Sequence, residues 1–328
     1  MSGDPRTIAE TEAGAPRPKP EARGPAGNPA PAPAVSRGDA PRPRAADFLA
    51  LTKPGITRMV LLTSGVGFFL GSGDVIDARL LLHALIGIAL IASGSNGLNQ
   101  LVERDRDARM HRTRDRPLPA GRLTPSQAAW FAGVASLLGT AYLAIFVNVT
   151  TAIVVAITLL SYVFVYTPLK HRTTFNTLVG GVPGALPVVA GWTAASAPLD
   201  ARALTLFAVL YFWQIPHFLA LAYIYREDYL RGGFVMLGRE DPEGRSTGRQ
   251  AALYSLALLP VALLPSLAGV TGSFYFFGAL AAGVAFLAVA IPMAVVPTTR
   301  AARRVFFGSV THLPVLLVLM VADRTFYG

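Results

Sequence analysis

In the stretch NQLVERDRDARMHRTRDRP, residues 99–117, Asn99, Glu103 and Asp107 recur at every fourth position, and Asn96 lies one turn earlier. On a helix this spacing puts all four on one face, with Glu103 and Asp107 about one turn apart and Asp105 turned away from them. Two carboxylates and an amide oxygen are hard donors that suit Mg²⁺, which keeps waters and bridges to substrate phosphates. The interspersed Arg104, Arg109, Arg112, Arg114 and Arg116 supply counter-charge and can fork onto phosphate oxygens. The same pattern also fits a solvated helix end whose charges merely pair with one another.

Three other stretches carry candidate chemistry. In YTPLKHRTTFN, residues 166–176, Lys170 and Arg172 are positioned to hold a diphosphate, with Tyr166, Thr173 and Asn176 as neutral hydrogen-bonding groups; an ordinary basic loop reads the same way. In WQIPHFLALAYIYREDY, residues 213–229, Trp213 and Pro216 precede His217 inside an apolar run, and Asp228 follows eleven residues later. A histidine at membrane depth is costly enough to be a functional candidate, although a core histidine bonded to a neighbouring helix fits too. LTKPG places Lys53 where an apolar run begins, as a phosphate contact or as a snorkelling anchor.

These residues need a scaffold. The chain has 328 residues, 52% of them hydrophobic and 15% charged, with a mean hydropathy of +0.47, outside the range of an ordinary soluble domain. Stretches long enough to cross hydrocarbon as helices occur near 56–73, 79–98, 127–146, 148–165, 177–195, 203–222, 250–270, 273–295 and 304–322. The fold expected is therefore all-α, a polytopic membrane protein of nine transmembrane helices around a central apolar cavity. Short, arginine-poor connections alternate with long basic ones at 99–126, 166–176, 223–249 and 297–304. By the positive-inside rule the basic connections and the N terminus face the cytoplasm, and the C terminus faces outward.

The net charge of +10 sits in these connections and in the N-terminal stretch, which reads as topology signal and anion binding and not as nucleic-acid binding. Residues 1–45, rich in Pro, Ala, Gly and Arg, cannot offset the entropy of ordering and are expected to be a disordered cytoplasmic tail; residues 46–328 form the membrane domain. With no cysteine, thiolate chemistry, disulfides and sulfur-ligated metals are excluded. All the polar complexity collects at one membrane face. A secondary transporter more often places ionisable groups at mid-span, so the asymmetry favours an enzyme whose polar chemistry lies at the mouth of an apolar cavity.

Taken in order, TKPG at 52–55, the Asn99–Pro119 stretch, YTPLKHRTTFNTLVGGVPGALPVVAGW at 166–192 and WQIPHFLALAYIYREDY resemble the UbiA-type membrane prenyltransferases over residues 46–322, and among them the branch that farnesylates haem. The resemblance implies that farnesyl diphosphate and haem B are the substrates, haem B being an acceptor and not a resident cofactor. It implies Mg²⁺ held around Asn99, Glu103 and Asp107 with help from Asp228, and Lys170 among the catalytic groups. Lys53, Arg112, Arg116, Tyr166, Arg172, Thr173, Asn176, Trp213 and His217 are then substrate contacts, His217 meeting the haem through its iron or through an orienting hydrogen bond. The setting implied is a bacterial inner membrane, with haem A synthase or terminal oxidase assembly downstream. Two positions depart from the wider family pattern: position 103 is Glu where Asp is usual, and Gly232 stands where a second aspartate would follow Asp228. The second departure is shared by the haem branch and favours haem over an aromatic quinone precursor as acceptor.

Overall fold

The computed structural model describes residues 44–237 and 241–326. The tail expected over residues 1–45 lies outside these, apart from Arg44 and Ala45, where a short helix α1 (Ala45–Leu51) begins. Nine helices among the described residues are long and apolar enough to cross a membrane, matching the nine runs read from the sequence. They are α2 (Pro54–Gly71), α3 (Ala78–Asp107), α4 (Pro125–Phe146), α5 (Val149–Leu169), α6 (Asn176–Ala194), α7 (Ala201–Ile224), α9 (Arg245–Leu267), α10 (Ser273–Val295) and α11 (Thr299–Phe326). A short α8 (Arg226–Gly232) follows α7.

Local chemistry starts several of them. The Asp77 carboxylate accepts the Leu80 amide ahead of α3, and Thr124 and Gln127 cap each other's backbone amides around Pro125 at the head of α4. Asn148 caps α5 and Asp200 caps α7. Such caps satisfy amides that a helix start leaves open and stabilise by about 1 kcal/mol each.

Packing follows small residues. A Cβ on Gly67 of α2 would lie 2.0 Å from the Val188 carbonyl oxygen, and one on Gly191 of α6 would lie 1.8 Å from that of Ser64. The two helices therefore touch backbone to backbone, and the Ser64 hydroxyl donates to the Pro187 carbonyl across the seam. Small residues give close helix contact where lipid supplies no hydrophobic drive between helices. α6 is the most enclosed helix, with 67% of its apolar segment buried, and it tolerates Pro183 and Pro187 because its neighbours surround it. Large apolar side chains such as Trp130, Leu137, Leu253 and Phe277 point outward.

Two features place the site. α3 runs unbroken for 30 residues, well past its apolar stretch, so Asn96, Asn99, Glu103 and Asp107 do share a face, and all four are buried. α5 contains a π-helical segment, Ser161–Tyr166, which periodicity did not foresee. There the backbone amide and the hydroxyl of Thr167 both donate to the Tyr162 carbonyl. Single π turns inside α-helices recur at functional sites because they redirect the side chains that follow.

Candidate active site

The buried face of α3 meets a cation at three of its oxygen-bearing side chains. Lys53 Nζ donates to Asn99 Oδ1 at 2.7 Å, Lys170 Nζ to Glu103 Oε1 at 2.8 Å and Arg116 Nη1 to Asp107 Oδ2 at 2.7 Å. The three basic residues come from the chain before α2, the end of α5 and the α3–α4 loop, so the site is assembled from three separate stretches.

Each is held by its surroundings. Gln100 Nε2 donates to the Leu51 carbonyl and Asn96 Nδ2 to that of Thr52, fixing the turn after α1. At that turn Lys53 takes a left-handed backbone conformation, φ 48° and ψ 68°, a costly one for a residue with a Cβ. It directs the ammonium at Asn99, whose own amide donates to Thr167 Oγ1 at 3.1 Å. Lys170 lies 4.6 Å from the centre of the Tyr166 ring, a cation–π contact. Tyr166 in turn fills the space beside Gly180. The Thr113 hydroxyl donates to the Asp107 backbone carbonyl, folding the loop back so that Arg116 reaches the Asp107 carboxylate.

The electrostatics follow from burial and crowding. Burial, with Arg116 and Lys170 close by, lowers the Lys53 ammonium to about 7, a shift that Glu103 and Asp107 only partly offset. Burial acts against the charge of Lys170 as well, but the Glu103 carboxylate more than compensates and holds it above the ordinary lysine value. Asp107 Oδ1 is buried without a hydrogen-bonding partner.

Other residues named from the sequence lie elsewhere. Asp105 pairs with Arg104 at the surface, as the helical spacing predicts, and Arg114 pairs loosely with Asp115; of the arginines in this stretch, only Arg116 bonds to the α3 face. Asp228 is engaged by the α3–α4 loop and by a neighbouring arginine. Its carboxylate accepts the backbone amides of His111 at 3.1 Å and Arg112 at 3.2 Å, and the Arg231 guanidinium at 2.5 Å, and among the described residues no three His, Cys, Asp or Glu side chains converge as a metal site. Through these bonds Asp228 pins the α3–α4 loop. The pinned loop lays the Arg112 guanidinium over the Tyr225 and Tyr229 rings, 5.2 and 5.8 Å from their centres.

Asn176 donates to the Thr173 and Val235 carbonyls, and Thr173 Oγ1 accepts the Phe175 amide, so both shape the α5–α6 turn. Arg172 is exposed. Trp213 and His217 lie farther along α7, against α11. The reading of isolated motifs missed Thr167, Gln100 and Thr113. Thr167 stands inside YTPLK and Gln100 beside Asn99, but polar residues that act by holding others have no signature of their own.

The match to known proteins follows this arrangement. Residues 60–311 match the model of the UbiA prenyltransferase family. A protoheme IX farnesyltransferase of Solibacter usitatus is 45% identical over 287 residues, covering 85% of this chain and 98% of the relative. One of Salinibacter ruber is 43% identical, covering 84% and 98%. The chain belongs to the UbiA prenyltransferase family. Solved structures agree on the fold of this UbiA prenyltransferase. A digeranylgeranylglyceryl phosphate synthase superposes with a TM-score of 0.71 at 16% identity, covering 85% of this chain and 97% of its own. A UbiA homologue from Archaeoglobus fulgidus bound to GPP and Mg²⁺ gives 0.63 at 15%, covering 84% and 99%.

The α3 face of this UbiA prenyltransferase has the donor chemistry a hard cation takes: two carboxylates, one with an unpartnered buried oxygen, and an amide oxygen. Basic side chains occupy one oxygen of each of these three groups.

Proposed function

We propose that the chain transfers the farnesyl group of farnesyl diphosphate to a vinyl group of haem B, water adding in the same reaction, to give haem O and diphosphate. Farnesyl transfer to haem rests on the relatives named protoheme IX farnesyltransferase, 38–45% identical over most of the chain. The wider prenyltransferase reading is also supported by the three cation-bearing oxygens at one end of an apolar bundle. An aromatic quinone precursor as acceptor is not favoured, since no observation here points to one. A transporter is disfavoured because the carboxylates sit at helix ends.

Asn99, Glu103 and Asp107 would hold Mg²⁺, which when bound neutralises a diphosphate leaving group. The chain's own part is a redistribution of charge. Lys53, Lys170 and Arg116 are within reach of both the α3 oxygens and an arriving diphosphate, and they transfer their hydrogen bonds to its oxygens. The allylic C–O bond then breaks with its electron pair going to diphosphate, where these preset cations stabilise the developing charge. The vinyl π electrons of haem form the new C–C bond to the farnesyl carbon, and water captures the resulting cation and loses a proton, leaving the hydroxyethylfarnesyl side chain.

The wider setting proposed is a bacterial inner membrane with the basic loops and N terminus in the cytoplasm, residues 1–45 as a tail, and a haem A synthase or terminal oxidase receiving the product. The deciding experiment is expression in a strain that lacks haem O, with the extracted haems weighed by mass spectrometry. A farnesylated haem that depends on this chain is expected. Unchanged haem B together with a prenylated aromatic acid would overturn the reading.

A further inference from the structure

His217 lies on α7 seven residues before its end at Ile224, about 10 Å along the helix from the polar end. It is enclosed by aromatic rings: Trp213 stacks on it at 5.4 Å with 24° between planes, and Phe306 of α11 lies at 5.0 Å. Its Nδ1 is 2.8 Å from Ser309 Oγ. That hydroxyl also lies 2.6 Å from the Phe306 carbonyl and donates to it. A serine hydroxyl has one proton to give. With that proton on the carbonyl, Ser309 can only accept from the imidazole, so Nδ1 carries the ring proton and Nε2 keeps a bare lone pair. The serine is itself fixed, because Trp213 Nε1 donates to its backbone carbonyl at 2.8 Å.

His312, on α11, shows what a purely structural histidine looks like in the same bundle. Its ring stacks on Phe286, and its Nε2 is sealed in packing with no partner. The Nε2 of His217 is not sealed in this way, and no hydrogen bond occupies it among the described residues. An imidazole whose one nitrogen donates to a fixed acceptor while the other is presented bare and neutral is the usual form of a metal-ligating histidine.

We propose that Ser309 is a positioning residue that sets the tautomer of His217, and that the Nε2 so presented ligates the iron of the haem substrate. The proposal rests on haem being the acceptor and adds the contact that orients it: iron held at His217 fixes the porphyrin relative to the farnesyl carbon.

The test is titration of the purified full chain in detergent with ferric haem B, followed by the Soret band and by electron paramagnetic resonance. The wild-type chain is expected to give a histidine-ligated spectrum that His217→Ala abolishes. Ser309→Ala is expected to weaken ligation about 5- to 30-fold, and Ser309→Thr, which keeps the hydroxyl, to stay within about twofold of wild type, as loss of one hydrogen bond implies. Wild-type spectra from His217→Ala, or equal ligation in Ser309→Ala and the wild-type chain, would overturn the proposal while leaving farnesyl transfer to haem intact. Failure of the wild-type chain to make haem O in cells would instead remove the functional reading, and this proposal with it.

Discussion

The Lys170–Glu103 pair lets the electrostatic design be tested without measuring activity. The two side chains are 12% and 7% exposed and 2.8 Å apart, so neither charge is well solvated once the other is gone. Glu103→Gln leaves a buried ammonium that still faces Lys53 and Arg116. Lys170→Met leaves a buried carboxylate. Breaking a buried pair from one side costs about 3–5 kcal/mol, whereas removing both partners is often nearly neutral. At roughly 2–3 °C per kcal/mol for a chain of this size, each single variant should melt about 6–15 °C below wild type in detergent. The double variant should recover most of that loss. Thermal melting of the four proteins under one detergent condition forms the cycle, with haem O production as a separate readout that stays lost in the double variant. Single variants melting within about 2 °C of wild type, or a double variant no more stable than the worse single, would refute the claim that the pair is a buried, mutually dependent unit.

Three further outcomes follow from the same geometry. Asp107→Asn should lower prenyl transfer by about 10²–10³-fold, the loss expected when a group acting on developing charge is removed, while membrane insertion is unchanged; activity within a few-fold of wild type would defeat the metal assignment. Asp228→Asn should leave the Mg²⁺ activation constant unchanged but speed amide exchange at His111 and Arg112 by about tenfold or more, since a hydrogen bond to a charged group contributes about 1.5–3 kcal/mol. A shifted Mg²⁺ dependence with unchanged exchange would assign Asp228 to the metal. Lys53, with its ammonium lowered to about 7, is charged below that pH and neutral above it, so kcat/KM for farnesyl diphosphate should fall as pH rises through about 7, and Lys53→Met should abolish that inflection. The unfolded chain keeps this charge up to about 10.5. The depressed value therefore destabilises the fold fully below about 7, and that penalty is relieved as pH rises from there toward 10.5.

The nine spans were legible because each is a long apolar run bounded by polar connections, and the α3 face because four-residue spacing has only one meaning on a helix. What hydropathy left open was whether α3 stays helical beyond its apolar stretch; the structure shows that it does, through Asp107. The π turn of α5 was not legible. Nothing in SYVFVY distinguishes it from an ordinary β-branched and aromatic stretch, and the wider turn is seen only where Thr167 closes on the Tyr162 carbonyl. The partners of Asp228 were not legible either. Sequence shows that a carboxylate is present but not which donors claim it, and here two backbone amides of a distant loop do so first.

The pairing of Asn99, Glu103 and Asp107 each with its own cation bears on the order of binding. A divalent ion arriving alone must displace Lys53, Lys170 and Arg116 from Asn99, Glu103 and Asp107, leaving two enclosed ammonium groups and the half-buried Arg116 guanidinium without these partners, which is costly. A diphosphate arriving with the ion gives those cations new acceptors as they leave the old ones. The two ligands should therefore bind with positive coupling, which by linkage must be equal in both directions. Binding of Mn²⁺ as a spectroscopic substitute for Mg²⁺, followed by electron paramagnetic resonance, should be tighter by about 10-fold or more, a coupling of ordinary size, when a non-hydrolysable farnesyl diphosphate analogue is present. Lys170→Met should tighten binding of the ion alone and shrink the coupling, because one competing cation is gone and Glu103 is released. Equal Mn²⁺ affinity with and without the analogue would show that the basic residues do not occupy the cation positions in solution.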